Sequence, residues 1–389
     1  MVKKAKKKDK KKTSREGPRL QLKHFPSAQR FSFFLLSIIL VLYSLIAAKL
    51  FLYPIALAVL FAYLIFPVAN WLEKHKLPRI IAILISEILL LLIITGAGLF
   101  IYKKVGTFVG DFPSFRAKAL SNIDGFESWL GQLLGIADLN LTGILRTRVA
   151  GLFDAGSNFF SNALTATTGT IFRIGILPVF IFLFLYYRTK FAWFILKLVP
   201  DDQRMVAIDT LRGVSKVASR YMGGVFIVVI ILAIVNTTAF ILIGLKYAMV
   251  FGVIAAIWVF IPYFGSIIGF FFPFVFAALT GDSPNMALKV VVIFLSVHFL
   301  ENYILTPNIV GNYVKLNPFI IILGLIAGAL VWGMPGMFVV IPALAVIRVI
   351  CEHNRTLQPY VYLLGTTGAG KHAITAEKIK RFLRLIKKK

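Results

Sequence analysis

Carboxylates are scarce in this sequence. Its 389 residues hold 16 Asp and Glu against 43 Lys and Arg. A single cysteine, Cys351, excludes an intramolecular disulfide framework. The helical zinc motif HExxH is missing, because His298 and Glu301 have neither that spacing nor a second histidine. There is no Ser-His-Asp set and no cysteine cluster. The stretch GTTGAGKH, Gly365 to His372, falls one residue short of the phosphate loop GxxxxGK[ST]. His372 stands where the magnesium-holding hydroxyl belongs, and no strand precedes the stretch, so it reads as a short linker. These gaps leave no catalytic set, no metal site and no cofactor to expect. They also leave no nucleotide-binding domain, so any energy would come from a gradient.

Apolar residues are abundant. They make up 59% of the chain, more than a soluble core can use, so this is an integral membrane protein. Stretches of about 20 apolar residues mark helical crossings. Eight are read, at 31–48, 51–70, 80–102, 169–187, 221–244, 249–279, 286–306 and 319–349. The expected fold is all-α, a polytopic transmembrane helix bundle of about eight spans with two broken helices. The first two spans join tightly around Lys49–Leu50.

The basic residues set the orientation. The first 30 residues hold 12 Lys and Arg, and residues 348–389 hold 10. Short cytoplasmic segments carry such excesses, so both termini are expected in the cytoplasm of a multi-pass inner-membrane protein. The run KKAKKKDKKK then reads as a topology signal and a tether to the lipid surface. No aromatic or structured region accompanies it, so no nucleic-acid partner is expected. It is too long for the basic end of a signal peptide, although LIAAK resembles a cleavage site. The division that follows is a polybasic cytoplasmic tail (1–30), spans one to three (31–102), an extracytoplasmic amphipathic region (103–168), span four (169–187), cytoplasmic amphipathic helices (188–220), a transport core (221–350) and a basic tail (351–389). Within 103–168, Phe108, Phe112, Phe115, Leu120, Ile123, Phe126 and Leu130 give helical spacing suited to the outer membrane surface. Pro200 opens the second helix of 190–220, with Asp201 and Asp202 in its first turn. Ile374, Ile379, Phe382, Leu383 and Ile386 give the last segment an apolar face among lysines.

Two spans are interrupted. One carries Pro262, Gly265, Gly269 and Pro273, the other Gly333, Pro335 and Gly336. Lost backbone hydrogen bonds are tolerated at membrane depth only where protein or a water-filled cavity supplies partners. Paired broken segments point to a transport pathway, whereas one alone would be an ordinary proline kink.

Of the 16 acids, only Glu87 and Glu301 fall inside spans. A charge at the bilayer centre costs at least about 2.5 kcal/mol and needs a partner or water. His298 and Glu301 are three apart, hence neighbours on one helix face. Such a pair can relay a proton or cation or anchor a polar solute, and it can also simply join helices by hydrogen bonding. Asn236 in the fifth span is a plausible partner.

The stretch LENYILTPNIVGNYVKLNP, Leu300 to Pro318, resembles the signature of the autoinducer-2 exporter family (PerM-like permeases). Its glutamate, proline, V-G pair and L-x-P correspond to Glu301, Pro307, Val310–Gly311 and Leu316–Pro318. FIPYFGSIIG, with Pro262, Tyr263 and Gly265, resembles a second family segment, in which Ser266 replaces a usual proline. FAYLIFPVANWLEKHKLPR, Phe61 to Arg79, resembles the family's second span and basic exit. His298 stands where a glutamine is common. The resemblance covers about residues 30–350. It implies about eight spans, an extracytoplasmic region after the third, and a homo-oligomer. Some members are linked to export of the furanone signal autoinducer-2 and others to sodium/proton antiport. The expected function is therefore a permease that moves a small polar solute or ions. The alternatives are a sodium/proton antiporter and a non-transporting scaffold. A catalytic role is not expected. The expected pathway residues are Glu301, His298, Glu87, Asn236, Pro262, Tyr263, Gly265, Pro307, Gly311 and Pro318.

Overall fold

A computed structural model describes residues 27–134, 141–165, 167–262, 264–281, 285–310 and 316–366. Tyr263, Gly311, residues 1–26 of the first basic tail and 367–389 of the second lie outside the described residues. The expected all-helical membrane bundle is what the described residues form. Their one β contact is an isolated bridge between Leu316 and Gly365.

The chain divides into two compact units, residues 1–48 and 49–389. The first contributes α1 (Ser27–Ala47), an apolar helix with exposed side chains. The second carries α2 (Lys49–Lys74), α3 (Arg79–Gly110), α4 (Phe112–Leu134), α5 (Leu141–Thr165), α6 (Thr167–Tyr186) and α7 (Arg188–Leu198). It continues with α8 (Arg204–Leu242), α9 (Ala248–Trp258), α10 (Phe264–Thr280), α11 (Asn285–Leu300), α12 (Pro318–Trp332), α13 (Met334–His353) and α14 (Gln358–Leu364). A π-helix, Glu301–Val310, extends α11. Among the described residues, five helical stretches are long and apolar enough to cross a membrane, and α6 with α7 makes a sixth across a bend of 59°. The apolar helices α9, α10 and α12 are shorter.

One predicted boundary moves. The amphipathic helix opened by Pro200 does not end before the fifth span. After a short turn at Asp201–Gln203, α8 runs unbroken for 39 residues. At 1.5 Å per residue that is about 58 Å, nearly twice a hydrocarbon core. The basic first half of α8 therefore projects beyond the apolar second half.

Both interruptions are sharper than kinks. A Cβ on Gly265 would lie 1.8 Å from the Trp258 carbonyl oxygen, and one on Gly269 would lie 2.8 Å from Ala255 Cα. These pairs diverge symmetrically from residue 262, so α9 and α10 fold back on each other as an antiparallel hairpin. In the same way Gly328 meets Gly336 and Gly324 meets Val340 and Leu344, so α12 and α13 form a second hairpin. Its turn is Gly333, at φ 68°, a conformation that glycine adopts without steric cost. Small residues let membrane helices approach closely where no hydrophobic force draws them together.

The hairpins sort the second unit into two ends. At the first, Phe108 sits among the rings of Phe112, Phe115, Phe160, Tyr247, Phe251 and Phe276, with centroids 5.0–5.9 Å away. The apolar face expected to lie on the membrane surface thus packs, at Phe108, Phe112 and Phe115, against α9 and α10. Asn122 of α4 donates to the carbonyls of Leu279 and Gly281 here (2.9 and 3.3 Å). At the other end Arg188 pairs with Glu73 (2.5 Å), and Arg79 donates to Leu185 O (2.6 Å). Gly213 of α8 faces Val349 and His353 of α13, and Asn317 N donates to Leu364 O (2.7 Å). We call these the aromatic end and the basic end.

Candidate functional site

Glu301 is the first residue of the π-helix, about 24 Å of helical rise from the start of α11. Pro307 lies inside that π segment and has no N–H to donate to the preceding turn. The wider turn is partly compensated by Asn308 Nδ2, which donates to Ile304 O at 2.7 Å. π-Helical geometry is rare and is found frequently at functional sites. Gly224 lets α8 approach this segment: a Cβ there would lie 3.0 Å from Val310 Cα.

Three elements converge on one carboxylate oxygen. Ser266 Oγ of α10 donates to Glu301 Oε2 at 3.2 Å. His298 Nδ1, one turn back on α11, lies 3.9 Å from the same oxygen. The imidazole stacks on Phe294, with centroids 5.4 Å apart. Asn302 Nδ2 holds it from the next turn, 3.1 Å from Nε2 and 3.0 Å from the His298 carbonyl. The Glu301 side chain is 12% exposed, while His298 is 42% exposed.

Glu301, Ser266 and His298 line a cavity of about 30 Å³, together with Asn236 of α8 and an apolar wall that includes Val259, Phe270 and Val297. A buried water needs about 10–15 Å³ on this measure, so the space suits about two waters. Organic ligand pockets are at least ten times larger. In this conformation the site can hold a proton, a water or a small cation, and it is too small for a solute of several heavy atoms.

The structure thus brings together Glu301, His298 and Asn236. Glu87 does not line this cavity. It is 5% exposed on α3 beside Ile83 and Leu90, and its Oε1 has no hydrogen-bond partner among the described residues. Pro262 and Gly265 stand at the turn of the first hairpin, where they place Ser266. Pro318 is the first residue of α12, whose N-terminus is capped by Asn317 (3.0 Å to Phe319 N), which is a helix-starting role. The second hairpin does not reach Glu301's cavity. It meets the first at Phe260–Phe338 (5.2 Å), beside an apolar cavity of about 700 Å³. Ser266 and Asn302 were not singled out as site residues from the sequence. Both were findable: Ser266 is the one aliphatic hydroxyl in its apolar stretch, and Asn302 follows His298 by four residues.

Comparison with known proteins identifies a family. The profile of the family described as AI-2E family transporter matches residues 34–356. YrrI of Bacillus subtilis is 28% identical over 313 residues, 77% of this chain and 85% of its own. YueF of the same organism is 25% identical over 306 residues, 76% and 82% of the two chains. YhhT of Escherichia coli is 20% identical over 333 residues, 85% and 93%. All three carry provisional names as transport proteins, and none of those names gives a solute.

Proposed function

This chain belongs to the AI-2E transporter family, and we propose that it is an ion-linked permease in which Glu301 carries the proton or cation. The observation behind this reading is the water-sized cavity at Glu301, walled by Ser266, His298 and Asn236. A carboxylate there accepts from the Ser266 hydroxyl, and a carboxylic acid there donates to a water or to the imidazole. His298 extends the relay toward the exposed side, since it is the more accessible of the pair. Ser266 rides on the α9–α10 hairpin and Glu301 on the α11 extension, so a shift of the hairpin would change which groups the carboxyl faces. The cargo is a small polar solute or an ion: sodium fits the Glu301 cavity, whereas autoinducer-2 would need a wider path than this conformation offers. We place the protein in the cytoplasmic membrane with both termini in the cytoplasm, as the basic segments favour. The family resemblance favours a homo-oligomer.

The test is flux in proteoliposomes with an internal pH dye, under an imposed sodium or proton gradient. Glu301→Gln should abolish the pH-dependent component. If flux and its pH dependence are unchanged, the relay is wrong. The Ser266–Glu301 bond also supports a second reading, a scaffold in which the polar groups only join helices, at about 0.6 kcal/mol per bond. Glu301→Gln would then lower the melting temperature in detergent with no flux to lose.

A further inference from the structure

The basic end holds a groove that plays no part in the Glu301 site. It runs between the last turns of α2 and the first half of α8, encloses about 560 Å³, and is lined by Trp71, Lys74, Arg212, Lys216, Ser219 and Arg220 among others. Arg212, Lys216 and Arg220 are spaced by four, so they form one row along α8. Lys74 faces them from α2. No carboxylate lines the groove. The nearest acid of α2, Glu73, is committed to Arg188. On α8, Asp209 pairs with Arg212 at 3.6 Å in an exposed contact, which contributes little. Ser219 Oγ is buried and has no hydrogen-bond partner among the described residues.

We propose that this groove binds a phosphate group, supplied by the headgroup of an anionic phospholipid. Four cations and a spare hydroxyl match phosphate oxygens in charge and donors. The two long tails outside the described residues are strongly basic, so neither matches the charge of the groove. The depth also fits. The 26 residues of α2 rise about 39 Å, so Lys74 reaches headgroup level when the helix crosses a hydrocarbon core of about 30 Å. Trp71 and the apolar floor at Phe66 suit the interface between headgroup and acyl chain.

The full chain in zwitterionic detergent should be titrated with short-chain phosphatidylglycerol, short-chain phosphatidylcholine and inorganic phosphate, with bound lipid read by native mass spectrometry. Phosphatidylglycerol should bind and phosphatidylcholine should not. Lys216→Gln with Arg220→Gln should weaken binding about 25-fold, roughly fivefold per cation. The charge-matched pair Lys103→Gln with Lys104→Gln should leave it unchanged. Melting temperatures confirm that both double variants are folded. Equal weakening by the two pairs, or none by the first, overturns the site. Full displacement by inorganic phosphate at the lipid's own concentration overturns the lipid headgroup as the source of the phosphate.

Discussion

Replacing glycine by alanine should have opposite effects at Gly265 and Gly98. At Gly265 the new methyl would lie 1.8 Å from the Trp258 carbonyl oxygen, where side chains essentially never approach closer than 3.0 Å. The hairpin must open by about 1.2 Å, and both partners are backbone, so no rotamer change relieves the clash. Overpacking of this kind costs about 1–3 kcal/mol. The Gly265 N to Ile261 O bond, now 2.7 Å, would stretch and lose about 1 kcal/mol more. The melting temperature in detergent should fall on the order of 5 °C. Ser266 is the next residue, so it would leave its 3.2 Å contact with Glu301, and flux should fall as well. At Gly98 a Cβ meets nothing within 4 Å. There alanine gains about 1 kcal/mol of helix propensity, so Gly98→Ala should melt slightly higher. A Gly265→Ala protein that melts within 1 °C of the parent with normal flux would show that the hairpin is not closed as described.

Two smaller tests address the site and the hairpin. Ser266→Ala should alter the pH profile of flux while the melting temperature moves by no more than the loss of one bond, about 1 kcal/mol; superimposable pH profiles would remove Ser266 from the relay. In a Cys351→Ser background, cysteines introduced at Ser121 and Gly281 should react with an impermeant maleimide from one side of the membrane, and a cysteine at Gln358 from the other. Labelling of the first two from opposite sides would refute the α9–α10 hairpin.

The bundle and the acid at its centre were legible in the sequence for a simple reason. Hydrophobic length reports helices, and only two carboxylates fall within those lengths, so Glu301 stood out by cost alone. Asn236 was named as a partner from its span and does line Glu301's cavity. Glu87 satisfied the same criterion but belongs elsewhere, because depth along a helix says nothing about which neighbour it faces. Ser266 was noted as a departure from a family pattern and not as a site residue. Its role depends on Gly265 and Gly269, whose missing side chains allow α10 to lie against α9. The π turn at Glu301 was hidden as well, since Pro307 announces a break without saying whether the helix kinks or widens.

The hairpins escaped a charge census for a physical reason. Eight single crossings would place residues 280–285 at the basic end and 307–318 at the other. The described residues of these stretches lie the other way: Gly281 is bonded to Asn122 at the aromatic end, and Asn317 to Leu364 at the basic end. Each hairpin returns to the end of the bundle from which it started. From α2 onward the two changes cancel, so α13 still ends at the basic end beside Gly213. In the sequence, 280–285 and 307–318 carry one formal charge each, Asp282 and Lys315, so a count of basic residues barely distinguishes the two arrangements. Positive-inside reasoning constrains only segments rich in charge. Between 280 and 318 it had almost nothing to count, so the glycine contacts of the two flanking hairpins, rather than charge, set the path of the chain past Glu301.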